Sequence, residues 1–161
     1  MNSAGSGLVH VCRAVLGRLL QTTFTVAVLA VACESTIDTL SPDNLGVEIR
    51  SDQPVYAPRD DFSGTFTFVN KSGQRMKAEF PTTGLYHVEL YDVDGNLRRS
   101  HFPGQDSAVT YLELEPFGTR TDTLKFPLYS PPESLLAGPF RVRAWVDGHE
   151  DIYSETAIEI R

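Results

Sequence analysis

The sequence predicts an all-β fold of antiparallel sheets, a sandwich or a barrel. Three observations predict it. From Val47 onward, apolar and polar residues alternate in short runs, the pattern of strands with one wet face. Clusters of Gly, Pro, Asn and Asp separate the runs at regular spacing. No stretch of this region carries a helical period.

The elements follow in order. Phe62, Gly64, Phe66 and Phe68 share one face, with Ser63, Thr65 and Thr67 on the other. Asn70-Lys71-Ser72-Gly73 is a turn. Tyr86, Val88 and Leu90 alternate with His87 and Glu89 before the turn at Asp94-Gly95-Asn96. After Pro103-Gly104, Leu112 and Leu114 alternate with Glu113 and Glu115, and Leu124 and Phe126 face in while Thr123 and Lys125 face out. Beyond Pro131-Pro132 and Gly138-Pro139, Phe140, Val142, Ala144 and Val146 alternate with Arg141, Arg143 and Trp145. Asp147-Gly148 makes the last turn, and Ile158 and Ile160 close the chain. A sandwich of this size buries an adequate core without disulfides.

Residues 1–32 read as a signal peptide. Arg13 and Arg18 supply the positive region, and Leu19 to Ala32 an apolar stretch softened by Gln21, Thr22, Thr23 and Thr25. That stretch is shorter than the roughly 20 apolar residues that span a bilayer. Cys33 follows Leu29-Ala30-Val31-Ala32, where a bacterial lipoprotein signal is cut and the new amino-terminal cysteine is acylated. Ala30-Val31-Ala32 also suits ordinary signal peptidase, so plain secretion is the other reading of the same cut. A cysteine directly behind the cut favours lipidation. Cys12 leaves with the signal, so the remaining chain has one thiol and no internal disulfide. Residues 33–45 then read as a lipid-anchored polar tether and 46–161 as the folded domain. The expected location is the bacterial cell envelope, outside the cytoplasm.

The charge limits the partners. The chain has 14 basic and 21 acidic side chains, net −7. Loss of Arg13 and Arg18 leaves 12 against 21, net −9. Such acidity argues against nucleic acid, whose binding depends on neutralising phosphates. It also argues against an electrostatic hold on an anionic membrane, and it keeps a surface domain soluble.

The order of short motifs resembles the BsuPI domain family, named after a Bacillus intracellular proteinase inhibitor. The resemblance rests on Phe68-Val69-Asn70-Lys71-Ser72, Phe80-Pro81-Thr82-Thr83-Gly84 with Tyr86, Tyr91-Asp92-Val93-Asp94-Gly95, Leu114-Glu115-Pro116-Phe117-Gly118-Thr119 and Ala137-Gly138-Pro139-Phe140. It covers about Asp60 to Asp147. The chain departs from the family where a tryptophan often follows the Asp-x-x-Gly turn: here stand Leu97-Arg98-Arg99. The Pro-Gly elements are also shifted, to Pro116-Phe117-Gly118 and Gly138-Pro139. The resemblance implies an immunoglobulin-like β-sandwich and, less directly, proteinase inhibition.

Constellations that look chemical have simpler readings. Asp92-Val93-Asp94-Gly95-Asn96 begins like a calcium loop, but Leu97 and Pro103 stand where Gly and Glu are needed. A type I′ hairpin turn explains the same residues. His87, His101 and His149 show no metal-ligand spacing, and His149-Glu150-Asp151 reads as a solvated loop. Asn70-Lys71-Ser72 matches a glycosylation sequon but reads as a plain turn. No nucleophile elbow or phosphate-cradling loop occurs, so no catalytic residue, metal or cofactor is expected.

Two features bear on binding. Trp145, the single tryptophan, points away from the Phe140–Val146 apolar face. It is either a binding anchor or the cap of a second minor core or sheet edge. The segment 127–136 is stiffened by Pro127, Pro131 and Pro132 and carries Tyr129, Leu135 and Leu136. Those side chains either enter a partner's cleft at small entropic cost or fold back to plug the sandwich. The expectation is therefore a non-enzymatic, membrane-tethered protein-interaction module, with a protease or envelope protein as partner. The alternatives are an accessory envelope lipoprotein and a carbohydrate-binding module using Trp145.

Overall fold

A computed structural model describes residues 36–104, 106–129 and 137–161. The expected signal peptide, Cys33, Leu135 and Leu136 lie outside the described residues. Those residues form eleven strands and no helix. They are β1 (Thr36–Ile37), β2 (Leu45–Ser51), β3 (Val55–Tyr56), β4 (Asp61–Asn70), β5 (Arg75–Phe80), β6 (Tyr86–Tyr91), β7 (Leu97–His101), β8 (Thr110–Leu114), β9 (Thr119–Pro127), β10 (Gly138–Val146) and β11 (His149–Ile160). The all-β expectation holds.

The strands make three sheets, ordered β2-β4-β9, β3-β11-β10-β6-β7 and β1-β5-β8. All long pairings are antiparallel, but β1–β5 and β3–β11, two residue pairs each, are parallel. The fold is thus antiparallel in its body and mixed at two edges.

Alternation does what the sequence implies. Along β4 the even positions from Phe62 to Asn70 are buried and the odd positions from Ser63 to Val69 are half-buried. Phe66 and Phe68 reach across to Tyr86 on the facing sheet, with ring centroids 4.7 and 6.3 Å away. Val88, Leu90, Val142, Ala144 and Ile158 complete that side, and Met76, Ala78, Leu112 and Leu114 of the third sheet join the same core. Each fully buried Phe or Leu contributes about 1.5–3 kcal/mol of transfer free energy. Gly64 stands among the inward positions because β2 passes too close for a side chain: a Cβ there would meet the Arg50 carbonyl oxygen at 2.3 Å.

Four expectations change. Residues 36–45, expected to lie outside the folded domain, join it. Thr36 and Ile37 pair with Arg75 and Met76, and Leu40 and Leu45 are buried, because the apolar residues of this polar stretch find core to cover. The turn at Asp92 is not type I′, which needs positive φ at two central residues. Only Gly95 is left-handed there, at φ 81. The Gly95 N–H donates to the Asp92 carbonyl, and the Asp92 carboxylate accepts from the Asp94 and Asn96 N–H groups. His149-Glu150-Asp151 begins β11 instead of forming a loop. Pro127 ends β9 instead of opening a loop, and Leu128 behind it is buried with its N–H on the Asp60 carbonyl.

The Asn70 turn is a buried polar knot. Asn70 is 1% exposed. Its Nδ2 donates to the Gln74 and Glu115 carbonyls at 2.7 and 2.9 Å. Its Oδ1 accepts from the Ser72 N–H and hydroxyl at 2.9 and 2.7 Å. A glycan on that nitrogen would break the knot, so the plain-turn reading stands.

Candidate functional site

The central strand of the five-stranded sheet is β10, between β6 and β11. Its core face is apolar, so Arg141, Arg143 and Trp145 must stand on the outer face. Register then selects their neighbours. Trp145 lies opposite His87 and Tyr153, Arg143 opposite Glu89 and Glu155, and Arg141 opposite Tyr91 and Ala157.

These rows interlock. The His87 ring is stacked between Phe102, centroid 4.3 Å away, and Trp145, centroid 5.3 Å away. Its Nε2 lies 2.8 Å from Asp147 Oδ1, and the other oxygen of Asp147 accepts from the Thr82 hydroxyl at 3.4 Å. The Arg143 guanidinium carbon sits 4.4 Å from the Tyr153 ring centre and 5.7 Å from that of Trp145. Arg143 Nε is buried without a hydrogen-bond acceptor among the described residues. The nearest carboxylate, Glu155, is 4.0 Å away. Arg141 lies over Tyr91 at 5.4 Å. The Tyr91 hydroxyl donates to Glu89, and that bond, with burial second, raises its pKa.

Trp145 is half-buried, whereas Tyr153 is 51% exposed. Beside them, His87, Trp145, Asp147, His149, Glu150 and Asp151 line a shallow groove. Among the described residues, no three His, Cys, Asp or Glu side chains are placed to hold a metal ion. The remaining histidine among the described residues, His101, faces inward and stacks on Phe126 at 5.3 Å. Burial lowers its pKa.

Of the sequence-predicted residues, Trp145 takes the outward place expected of it. Tyr129 is half-buried behind Leu128, on a different part of the chain from the Trp145 row. Tyr153, Arg143 and His87 were not anticipated as companions of Trp145.

No family model matches this chain, and no curated protein matches it. Several solved structures contain a region of similar shape. In the Pseudomonas fluorescens alkylpurine DNA glycosylase AlkC, bound to DNA containing an abasic site analog, the match has a TM-score of 0.51 and 9% identity. It covers 73% of this chain and 30% of that one. A β-glucosidase from Erythrobacter marinus, EmGH1, gives a TM-score of 0.48 at 13% identity, covering 73% of this chain and 15% of that one. The Listeria innocua β-glucosidase with isofagomine gives 0.46 at 16%, covering 72% and 16%. The chain thus spans less than a third of each neighbour. The AlkC likeness is one of fold alone, and the two weaker ones support nothing further.

Proposed function

We propose that this chain is a lipid-anchored, extracytoplasmic binding module whose protein partner docks on the outer face of the five-stranded sheet. One observation carries the docking half: Trp145, Arg143 and Tyr153 lie side by side on that wet face. Trp, Tyr and Arg are the residue types that dominate binding energy at protein interfaces. The anchor half rests on Cys33 behind Ala32 in the sequence. Proteinase inhibition is the specific form that the BsuPI resemblance suggests, and the segment around Tyr129, Leu135 and Leu136 would then enter the protease.

A glycan-binding reading draws on the same rings, since flat aromatics on one sheet face suit sugars. Both rings are already engaged, Trp145 by His87 and Tyr153 by Arg143. That favours a protein partner, which meets edges and guanidinium as readily as bare ring faces.

The test uses the full chain in its own membranes. Cys33→Ser should release it to the soluble exported fraction. A photocrosslinking residue at Tyr153 should capture a defined envelope protein, and Trp145→Ala should abolish that product. Membrane retention of Cys33→Ser without lipid on the native amino terminus would remove the anchor. Crosslinking unaffected by Trp145→Ala would remove the docking face. Failure of the native domain against a broad panel of extracytoplasmic proteases would remove inhibition alone.

A further inference from the structure

We propose that the corner of the sandwich carrying Phe117 rests on the lipid bilayer, with the Phe117 ring entering its interfacial layer. This rests on the reading of Cys33 as a lipid anchor.

Phe117 is the outlier among the described residues. It is 69% exposed, and it is the one non-glycine residue among them with positive φ, 56°. Bulky residues rarely occupy the left-handed region. Two neighbouring bonds fix this one: its N–H donates to the Ser72 carbonyl at 3.0 Å, and the Gly118 N–H donates to the Glu115 carbonyl at 2.8 Å. The ring lies over Gly73, where an added Cβ would meet it at 3.5 Å. A large apolar side chain is therefore held outward at a rigid turn, not left on a loose loop.

The same corner receives the chain from its anchor. Thr36 pairs with Arg75, two residues beyond Gly73, so Thr36 lies within roughly 17 Å of the Phe117 ring by chain geometry. Cys33 precedes Thr36 by three residues, a reach of at most about 11 Å. A tether running to residue 45 would let the domain tumble well clear of the membrane. Docking from Thr36 onward removes that freedom and turns this corner toward the bilayer.

Charge does not drive the contact, since the chain is net acidic at −7. Arg75 pairs with Glu113 and Glu115 at 3.4 and 3.6 Å, and Lys71 donates to the Pro42 carbonyl. The contact is therefore apolar. Phe is among the apolar residues that interfacial helices bury at the headgroup–acyl boundary. One ring alone binds weakly, but beside covalent acyl chains its effective concentration at the bilayer is high, so it fixes orientation.

The test uses the full lipidated chain in phosphatidylethanolamine–phosphatidylglycerol vesicles with brominated acyl chains. Trp145→Phe removes the single tryptophan. Phe117→Trp then reports on the corner, and Val93→Trp serves as control. Val93 is 71% exposed in the β6–β7 turn, away from the Asn70 end of β4. The expected result is bromolipid quenching several-fold stronger at position 117 than at 93, with blue-shifted emission at 117. A nitroxide on Pro116→Cys, read for depth by collision with oxygen against a polar relaxer, gives the same answer if the tryptophan variants fold poorly. Equal quenching at both positions, or a water-exposed label, in protein that floats with the vesicles overturns this proposal and leaves the anchor standing. Protein that neither floats nor carries lipid overturns both.

Discussion

The rings of His87 and Trp145 face one another across the β6–β10 pair, 6° from parallel and 5.3 Å between centroids. The imidazole is also held from the other side by Phe102 and through Nε2 by Asp147. His87 therefore acts as a splint for Trp145. Aromatic pairs contribute about 0.5–1.5 kcal/mol beyond their burial. His87→Ala should lose that order of stability in urea melts and red-shift the Trp145 emission. Trp145→Ala should weaken partner binding by at least about 2 kcal/mol if it is a hot spot. A partner that binds both variants equally well would place the interface elsewhere.

The core register makes a sharper contrast. Phe66 is fully buried against Phe68 and Tyr86. Thr67, the next residue, faces out and shares a 3.0 Å hydroxyl contact with Thr121. Phe66→Ala should cost about 3–5 kcal/mol. Thr67→Ala should cost under about 1 kcal/mol. Equal shifts of the denaturation midpoint would mean the strand is read in the wrong frame.

Period-two alternation made the faces of β4, β6, β8, β9 and β10 legible from sequence, because burial on one side of an antiparallel sheet leaves no other signal as strong. The Trp145 site was not legible beyond Trp145 itself. A regular hairpin closed by Val146 and His149 would set Trp145 opposite Glu150. The register instead shifts between Trp145 and Val146, and Trp145 meets Tyr153. Periodicity gives a side chain its face but not its cross-strand partner, and an irregularity in the ladder carries no compositional mark here. The docking of residues 36–45 was missed for a related reason. Ile37, Leu40 and Leu45 are too sparse among polar neighbours to make a pattern, yet Leu40 and Leu45 are buried.

Asn70 closes its own turn, residues 70–74, and ties it to Glu115 with one amide. Asn70→Ala leaves the Gln74 and Glu115 carbonyls and the Ser72 N–H without their partner. At about 1 kcal/mol per hydrogen bond, with a further penalty for buried unpaired groups, the loss should be about 2–4 kcal/mol. Asn70→Asp keeps the shape but replaces the donating nitrogen by an acceptor facing two carbonyls, so it should be at least as damaging. Thermal melts of the two variants decide this; a neutral Asn70→Asp would show that the amide donates to neither.

Phe117 should be a site where loss of a side chain stabilises. Left-handed backbone strains a residue with a Cβ by about 1–2 kcal/mol, and glycine is free of that strain. Phe117 is largely exposed, so Phe117→Gly gives up little burial. The unfolded chain gains some freedom from the glycine, which offsets part of the benefit. The expected net change in soluble protein is a gain of up to about 1 kcal/mol. A marked loss in urea melts would show that the ring's contact with Gly73 matters more to the fold than the strain.

Tyr86 and Asp92 make stability depend on pH with opposite signs. Burial pushes the Tyr86 hydroxyl up to about 12, helped by the Asp122 charge and opposed by Arg120. The folded state keeps the proton that an unfolded tyrosine releases near pH 10. Its contribution is complete below pH 10 and is lost as pH rises through about 12, amounting to about 2–3 kcal/mol at most. Asp92 runs the other way. Its carboxylate accepts from the Asn96 side chain and backbone and from Arg98, and its pKa falls to about 2 against partial desolvation. That contribution is complete above pH 4 and is lost as pH falls through about 2. Tyr86→Phe should flatten stability between pH 10 and 12 without touching the acid limb. Asp92→Asn should flatten it between pH 4 and 2 and lower the plateau between them, since the neutral amide cannot hold Arg98. Urea midpoints measured across the full pH range separate the two. An alkaline limb unchanged in Tyr86→Phe would mean that another group, not this buried hydroxyl, carries the loss.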